Sequence, residues 1–365
     1  MSNIASAVQD RTNEAVRFVN SGFVSLLDTK PMRPVFDALA EPYLAGHSFQ
    51  EGIDEGIRIF DEQGVLSTFD ILGELDRKSM TEEEFRSAYP ALADRMYQGN
   101  LDLLDLMAQR MDGTGASLST KLTSISAVEK TVGDKVKLNN GRPAFFNKNQ
   151  PLIRLEAIVA KAENLGIDVT LDMEESTLTD TTLLYADHLW SRGYSNLGIV
   201  LQAGLNRTRT DVQNLFGSGR NSEKRVRLVR GIYIEPRDIS VGKTEAKSRI
   251  VDRAQELFEA GVYVEFGTHD LQILDRIMKE VILEMGITPS MCEFQFLRGV
   301  YNGEVAGRRL RGEGFTTRYY MPVEERAGDG HPYMVRRLKA NPQIALAGAK
   351  NVAQKMFYSG NGRPK

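Results

Sequence analysis

The chain has 365 residues, 41% of them hydrophobic, enough for one barrel-sized core or two smaller ones. A net charge of −3 and a pI near 6.0 exclude a broad nucleic-acid-binding face. A single cysteine, Cys292, excludes an internal disulfide, and no apolar run approaches the roughly 18 residues of a membrane span. No basic-then-apolar leader opens the chain, and Cys292 with His47, His188, His269 and His331 shows no metal-ligand spacing, so no metal is expected. These features describe an ordinary globular, cytoplasmic chain.

In chain order, residues 1–62 read as an N-terminal helical arm or cap. Ala15, Val16, Phe18, Val19, Val24, Leu26 and Leu27 recur at helical spacing, Pro31 and Pro34 interrupt them, and Gly46 and Gly52 punctuate a helix–turn–helix up to Phe60. The run from Gly64 to Asp70 reads as a buried strand. Thr81-Glu82-Glu83-Glu84 is a capping box that opens a long helix toward Met111, with Pro90 expected to kink or split it. Strands are expected from near Ser117, Asp168, Leu197, Val226, Val262, Glu293 and Phe315. Amphipathic helices fall between them at Leu152–Leu165, Leu178–Arg192, Arg207–Leu215, Lys243–Ala260 and Leu271–Met285. Eight strands, most alternating with helices, imply an α/β fold with a parallel sheet closed as a (β/α)8, TIM-like barrel over residues 63–345; an open doubly wound sheet is the alternative. Gly217-Ser218-Gly219 follows a helix instead of a strand, which is the wrong context for a dinucleotide turn. Gly133–Asn149 reads as an insertion after the second strand and a candidate lid. Residues 346–365 read as a C-terminal helix and tail.

The last strand, Phe315–Met321, leads through a Gly/Asp/Pro-rich turn, Ala327–Pro332, into a helix with Arg336 and Arg337 on its first turns. Cations at the positive end of a helix dipole are poorly placed for helix stability and well placed to grip an anion. Barrel chemistry sits where strands end. Those ends carry Asp70, Glu74, Lys121, Asp172, Met173, Gln202, Arg227, Arg230-Gly231-Ile232-Tyr233, Thr268, His269, Gln295 and Tyr320. Singly, each has a plain explanation. The arginine pair reads as solvated charge, His269 as a hydrogen-bonded loop histidine, and Arg227 and Arg230 as helix caps. Lys121 is open as a Schiff-base lysine or a phosphate ligand, with a structural ion pair to Asp172 the default. So many charged groups at one barrel mouth are costly unless paired or used, which favours a site.

Nine strings occur in a fixed order: Asp70-Ile71-Leu72-Gly73-Glu74, Lys121-Leu122-Thr123, Leu171-Asp172-Met173-Glu174, Leu201-Gln202-Ala203, Arg227-Leu228-Val229-Arg230-Gly231-Ile232-Tyr233, Gly267-Thr268-His269, Glu293-Phe294-Gln295-Phe296-Leu297, Tyr320-Met321-Pro322 and Tyr333-Met334-Val335-Arg336-Arg337-Leu338. Together they resemble the proline dehydrogenase family from about Val65 to Pro342. The first 60 residues carry no string of that kind. The resemblance implies a distorted barrel that binds FAD and oxidises L-proline, or a close analogue, to Δ1-pyrroline-5-carboxylate. It further implies hydride transfer from C5 to flavin N5, electrons passed to a quinone, and peripheral contact with the inner membrane. The number of copies in the assembly stays open.

Carried over residue by residue, the resemblance makes Arg336, Arg337 and Lys121 the carboxylate clamp, Tyr320 a wall against the ring, and Leu228 a further boundary of the pocket. Asp172 and Arg227 would organise the site near flavin N5. Met173, Gln202, Arg230, Gly231, Ile232, Thr268 and His269 would contact FAD, and Glu74 would pair with Arg336 as a gate. The chain departs from the family at Ile232, where alanine is usual, at Gly204, where an aromatic is common, and at Ala340, where an acid is common. Its turn Glu324–Gly330 is also longer and more charged. These departures leave a substituted proline or a biosynthetic role as alternatives. A non-catalytic proline-binding relative and an aldolase built on Lys121 are the readings from other classes.

Overall fold

Eight short runs pair side by side in the computed structural model and close on themselves: β1 (Leu66–Leu72), β2 (Ser117–Thr120), β3 (Asp168–Leu171), β4 (Leu197–Gln202), β5 (Arg225–Val229), β6 (Tyr263–Gly267), β7 (Cys292–Leu297) and β8 (Thr316–Glu324). Every pairing is parallel, and β8 returns to β1 in a register running from Leu66 opposite Arg318 to Leu72 opposite Glu324. Closure leaves this sheet no edge and decides against the open alternative. The structure describes residues 33–73, 80–129, 142–217, 221–233 and 235–340, with a few isolated positions besides. Nearly all of the expected arm before residue 33, the tail 346–365, residues 218–219 of the glycine loop and the gate residue Glu74 lie outside it.

The helices are α1 (Arg33–Ala40), α2 (Phe49–Gln63), α3 (Glu82–Arg110), α4 (Leu122–Ile125), α5 (Gln150–Asn164), α6 (Thr179–Ser191), α7 (Thr208–Phe216), α8 (Lys243–Glu259), α9 (Leu271–Arg276, continued by π-helical turns at Ile277–Leu283), α10 (Tyr301–Gly312) and α11 (His331–Ala340). Their ends follow local chemistry. Ser48 Oγ accepts from Glu51 N at 3.2 Å to open α2, and Gly64, at φ 64°, closes it in the left-handed conformation. Thr81 and Glu84 form the expected capping box, Glu84 N donating to Thr81 Oγ1 and Thr81 N to Glu84 Oε2. Pro90 does not split α3. A proline inside a helix costs about 3 kcal/mol, and the buried face of α3 (Phe85, Ala93, Met96, Leu103, Leu104 and Met107) offsets it by packing. Two small antiparallel pairs occur at and just before the Gly133–Asn149 segment, Thr131–Val132 with Lys135–Val136 and Leu138–Asn139 with Arg142–Pro143.

Two helices decide where the site lies. A Cβ added at Gly52 would stand 2.6 Å from Val323 Cγ2, and one at Gly56 would stand 2.9 Å from Phe69 Cζ. Helix α2 therefore packs against β8 and β1, on the outer wall where the chain starts and finishes the barrel. Helix α11, which follows β8, packs elsewhere. With α1 it forms a second core of Phe36, Leu39, Tyr43, Leu72, Leu297, Tyr333 and Met334, packed against Tyr320 at the C-terminal ends of the strands. The arginine helix thus covers the barrel mouth.

The inside of the barrel is ionic. Near the strand starts, Arg318 donates to Glu293 at 2.6 and 3.0 Å and to Ser117 Oγ at 3.2 Å, while Arg225 donates to Asp168 at 2.5 Å. One layer up, Gln295 Nε2 donates to Glu265 and Glu293 at 2.8 and 2.6 Å, and its Oε1 accepts from Arg227 Nε. Buried charge is tolerable only when paired and hydrogen-bonded in this way.

Candidate active site

The upper layer begins with Asp70 on β1, which is 2% exposed. Lys121, the residue after β2, donates from Nζ to Asp70 Oδ1 at 2.5 Å and lies 3.9 Å from Asp172 Oδ2. The lysine's main partner is thus Asp70; the sequence reading paired it with Asp172, which sits farther off because it is engaged elsewhere. Arg227 Nη1 donates to Asp172 Oδ1 at 2.7 Å and to Ser119 Oγ at 3.1 Å, and Tyr320 OH donates to Asp172 Oδ2 at 2.7 Å. The Arg227 guanidinium lies 5.4 Å from the Tyr320 ring centre. One carboxylate therefore orients an arginine and a tyrosine at once.

The electrostatics follow from these contacts. Burial works to lower the Lys121 ammonium, but the Asp70 charge, backed by Asp172, outweighs it and holds Lys121 protonated well beyond its ordinary range. Burial, with Asp172 beside it, pushes the Tyr320 hydroxyl well up, so it remains a donor. Burial also lifts Glu174 to about 7, against hydrogen bonds from Thr123 N and Thr123 Oγ1. His269 accepts at Nε2 from Leu297 N at 2.7 Å, and burial with the nearby Arg337 charge drives it down to about 3. This histidine is a neutral structural acceptor with its proton on Nδ1.

Helix α11 brings Arg336 and Arg337 to the same mouth. The Arg337 guanidinium lies 5.7 Å from the Tyr333 ring centre. Tyr333 also lies near enough to Lys121 and Tyr320 for its hydroxyl to influence both electrostatically. The side chain of Arg336 lies outside what the structure describes. Tyr333, Ser119 and the Lys121 pairing of Asp70 were missed by sequence reasoning. Ser119 had a usable signal, being two residues before Lys121 on the strand that leads to it.

Around this layer, Gln202 at the end of β4 donates from Nε2 to Glu174 O at 2.8 Å. Gly231 follows at φ 100°, where a Cβ would stand 2.8 Å from Gln202 Oε1, so only glycine allows this approach. Met173 and Thr268 are buried at the same end, and Thr268 Oγ1 accepts from Asp270 N at 3.3 Å. Arg230 O accepts from Gly204 N at 3.0 Å. Leu228 takes the opposite face of β5 from Arg227 by strand alternation and is buried with the main core. Two departures acquire local reasons. Ile232 is 57% exposed, so its bulk points away from the core. A Cβ on Gly204 would stand 2.9 Å from Arg230 O, which leaves no room for an aromatic on this backbone.

Comparison with known proteins agrees with these features. The proline dehydrogenase profile matches residues 54–346. The chain is 28% identical over 310 residues to Proline dehydrogenase of Deinococcus radiodurans, covering 84% of this chain and 87% of that one. It is 25% identical over 324 residues to Proline dehydrogenase 1 of Bacillus subtilis strain 168, covering 87% and 91%. Among solved structures, it superimposes on proline utilization A from Bdellovibrio bacteriovorus inactivated by N-propargylglycine with a TM-score of 0.67 and 22% identity, over 82% of this chain and 32% of that one. A proline utilization A variant from Bradyrhizobium japonicum gives a TM-score of 0.62 at 19% identity, over 88% and 32%. The chain spans about a third of those longer proteins, and the likeness to them is one of fold. With most of its length matched and the barrel closed, the chain belongs to the proline dehydrogenase family.

Proposed function

We propose that this chain oxidises L-proline to Δ1-pyrroline-5-carboxylate with FAD, in a catalytic barrel of residues 63–345, and passes the electrons to a quinone. The observation that carries the reading is the layer of Lys121, Asp70, Asp172, Arg227 and Tyr320 beneath the helix of Arg336 and Arg337. The names of its relatives in Deinococcus and Bacillus support the substrate.

The residues present suit a flavin. Arg227 Nη2 is buried and has no hydrogen-bond partner among the described residues, a donor that a polar ring edge would satisfy. Met173, Gln202, Arg230, Gly231, Ile232, Thr268 and His269 would hold FAD, with Asp172 and Arg227 at its reacting edge. When bound, FAD supplies the two-electron acceptor for the hydride leaving C5. The protein's own work is orientation. Arg336 and Arg337 fix the carboxylate by paired N–H donors, Lys121 adds a charge kept positive by Asp70, and Tyr320 limits the tilt of the ring. The Arg227 cation favours negative charge at the acceptor. Glu74, paired with Arg336, would close the mouth and exclude water. A quinone acceptor calls for peripheral contact between a cytoplasmic enzyme and the inner membrane.

Lys121 argues against an aldolase, because a Schiff-base lysine must be neutral and Asp70 keeps this one charged. The test is Arg336→Met. KM for L-proline should rise about tenfold or more while FAD per chain stays unchanged; equal loss of both counts against the clamp.

A further inference from the structure

The turn between β8 and α11, Glu324–Gly330, is left unexplained by the carboxylate clamp itself. Glu324 is the last residue of β8 and is 2% exposed. A carboxylate buried there needs donors. Gly330 N donates to Oε1 at 2.7 Å, Gly328 N donates to Oε2 at 3.1 Å, and His47 Nδ1 lies 2.6 Å from Oε2. His47 is itself held: Nε2 lies 3.0 Å from Glu41 Oε2, and its backbone N–H donates to Glu51 Oε2 at 2.8 Å. Both ring nitrogens face carboxylates. Across the turn, Arg95 of α3 donates to Asp329 at 2.6 Å and lies 3.3 Å from Glu325. There is little slack, since a Cβ on Gly330 would stand 2.6 Å from Leu72 Cδ1 and 2.9 Å from Glu324 Oε1.

Helix α11 begins at the next residue, His331. Helix geometry turns that starting point into an orientation, because each residue rotates about 100° and rises about 1.5 Å. A one-residue slip in the turn would rotate every position of α11 about 100° relative to the mouth. Apolar packing of Tyr333 and Met334 against Phe36, Leu39 and Tyr43 chooses the buried face. The polar anchor fixes the starting end.

We infer that Glu324 and His47 are positioning residues that set the height and phase of the arginine helix, and hence the reach of Arg336 and Arg337 to the substrate carboxylate. This rests on the clamp reading given above. Neither residue touches the proposed substrate; both act through α11.

The experiment uses the full-length FAD-loaded protein as wild type, Glu324→Gln, His47→Gln, Arg336→Met and the double variant Glu324→Gln/Arg336→Met. KM and kcat for L-proline, FAD per chain and deuterium uptake over residues 331–340 are read for each. The expected result for Glu324→Gln and His47→Gln is a KM raised about tenfold with kcat within about twofold, unchanged FAD, and faster uptake over 331–340. In the double variant the two effects on KM should combine to less than their product, because both act on one clamp. Multiplicative effects on KM, or variants with wild-type KM and uptake, overturn the inference. If Glu324→Gln does not fold, His47→Gln decides alone, since it removes one donor from a side chain that is 41% exposed. If the wild type leaves L-proline unoxidised, the functional reading fails separately. Uptake over 331–340 then decides the anchor, faster exchange supporting it and unchanged exchange overturning it.

Discussion

Lys121 illustrates what single residues reveal and hide. Its residue type and its place after a strand were legible in the sequence, but its partner was not. Asp70 and Asp172 lie 51 residues before and after it, and only barrel closure shows which carboxylate it reaches first. Tyr333 was obscured for a related reason: an aromatic three residues before an arginine looks like ordinary core until the helix is seen over the mouth. Glu174 gives a prediction at this scale. Burial raises its carboxyl from 4.5 to about 7, so the folded chain keeps a proton that the unfolded chain has lost. Stability should therefore fall as pH climbs from about 4.5 to about 7, by an amount on the order of 3 kcal/mol at most. Urea midpoints measured across that window check this. Glu174→Gln should flatten the dependence, and an unchanged slope in that variant would assign it to other groups.

At the scale of elements, strand–helix alternation was readable because periods of 2 and 3.6 residues are written directly in the apolar pattern. The capping box of α3 was readable for the same kind of reason, its chemistry being local. Where a helix packs is not local. An amphipathic stripe names a buried face without naming what covers it. The apolar spacing of residues 1–62 reads as an arm or cap without naming its partners; among the described residues α2 lies against β8 and β1, and α1 lies against α11. The contact at Gly52 makes this testable. A valine there would press on Val323, whose Cγ2 is 2.6 Å from the added Cβ. Gly52→Val should lower stability by about 1–3 kcal/mol in chemical denaturation. A fully stable Gly52→Val protein would refute the close packing of α2.

At the scale of the molecule, the described residues build a barrel whose interior departs from the usual layers of branched apolar side chains. Arg225, Arg227 and Arg318 meet Asp168, Asp172, Glu265 and Glu293 from the strand starts up to the mouth. The alternation Arg225-Val226-Arg227 and Glu293-Phe294-Gln295 already placed charge on one face of each strand, so a polar interior was implicit in the sequence. Its pairing required the register. Such an interior stabilises the fold less than apolar packing would, and it holds the Arg227–Asp172–Tyr320 group beneath α11. The most direct test of the proposed chemistry is anaerobic addition of L-proline to purified FAD-loaded protein, following flavin absorbance and pyrroline together. The expected result is bleaching of the flavin with an equal amount of pyrroline formed. Flavin that stays oxidised in excess L-proline, or a chain that takes up no FAD, would contradict it.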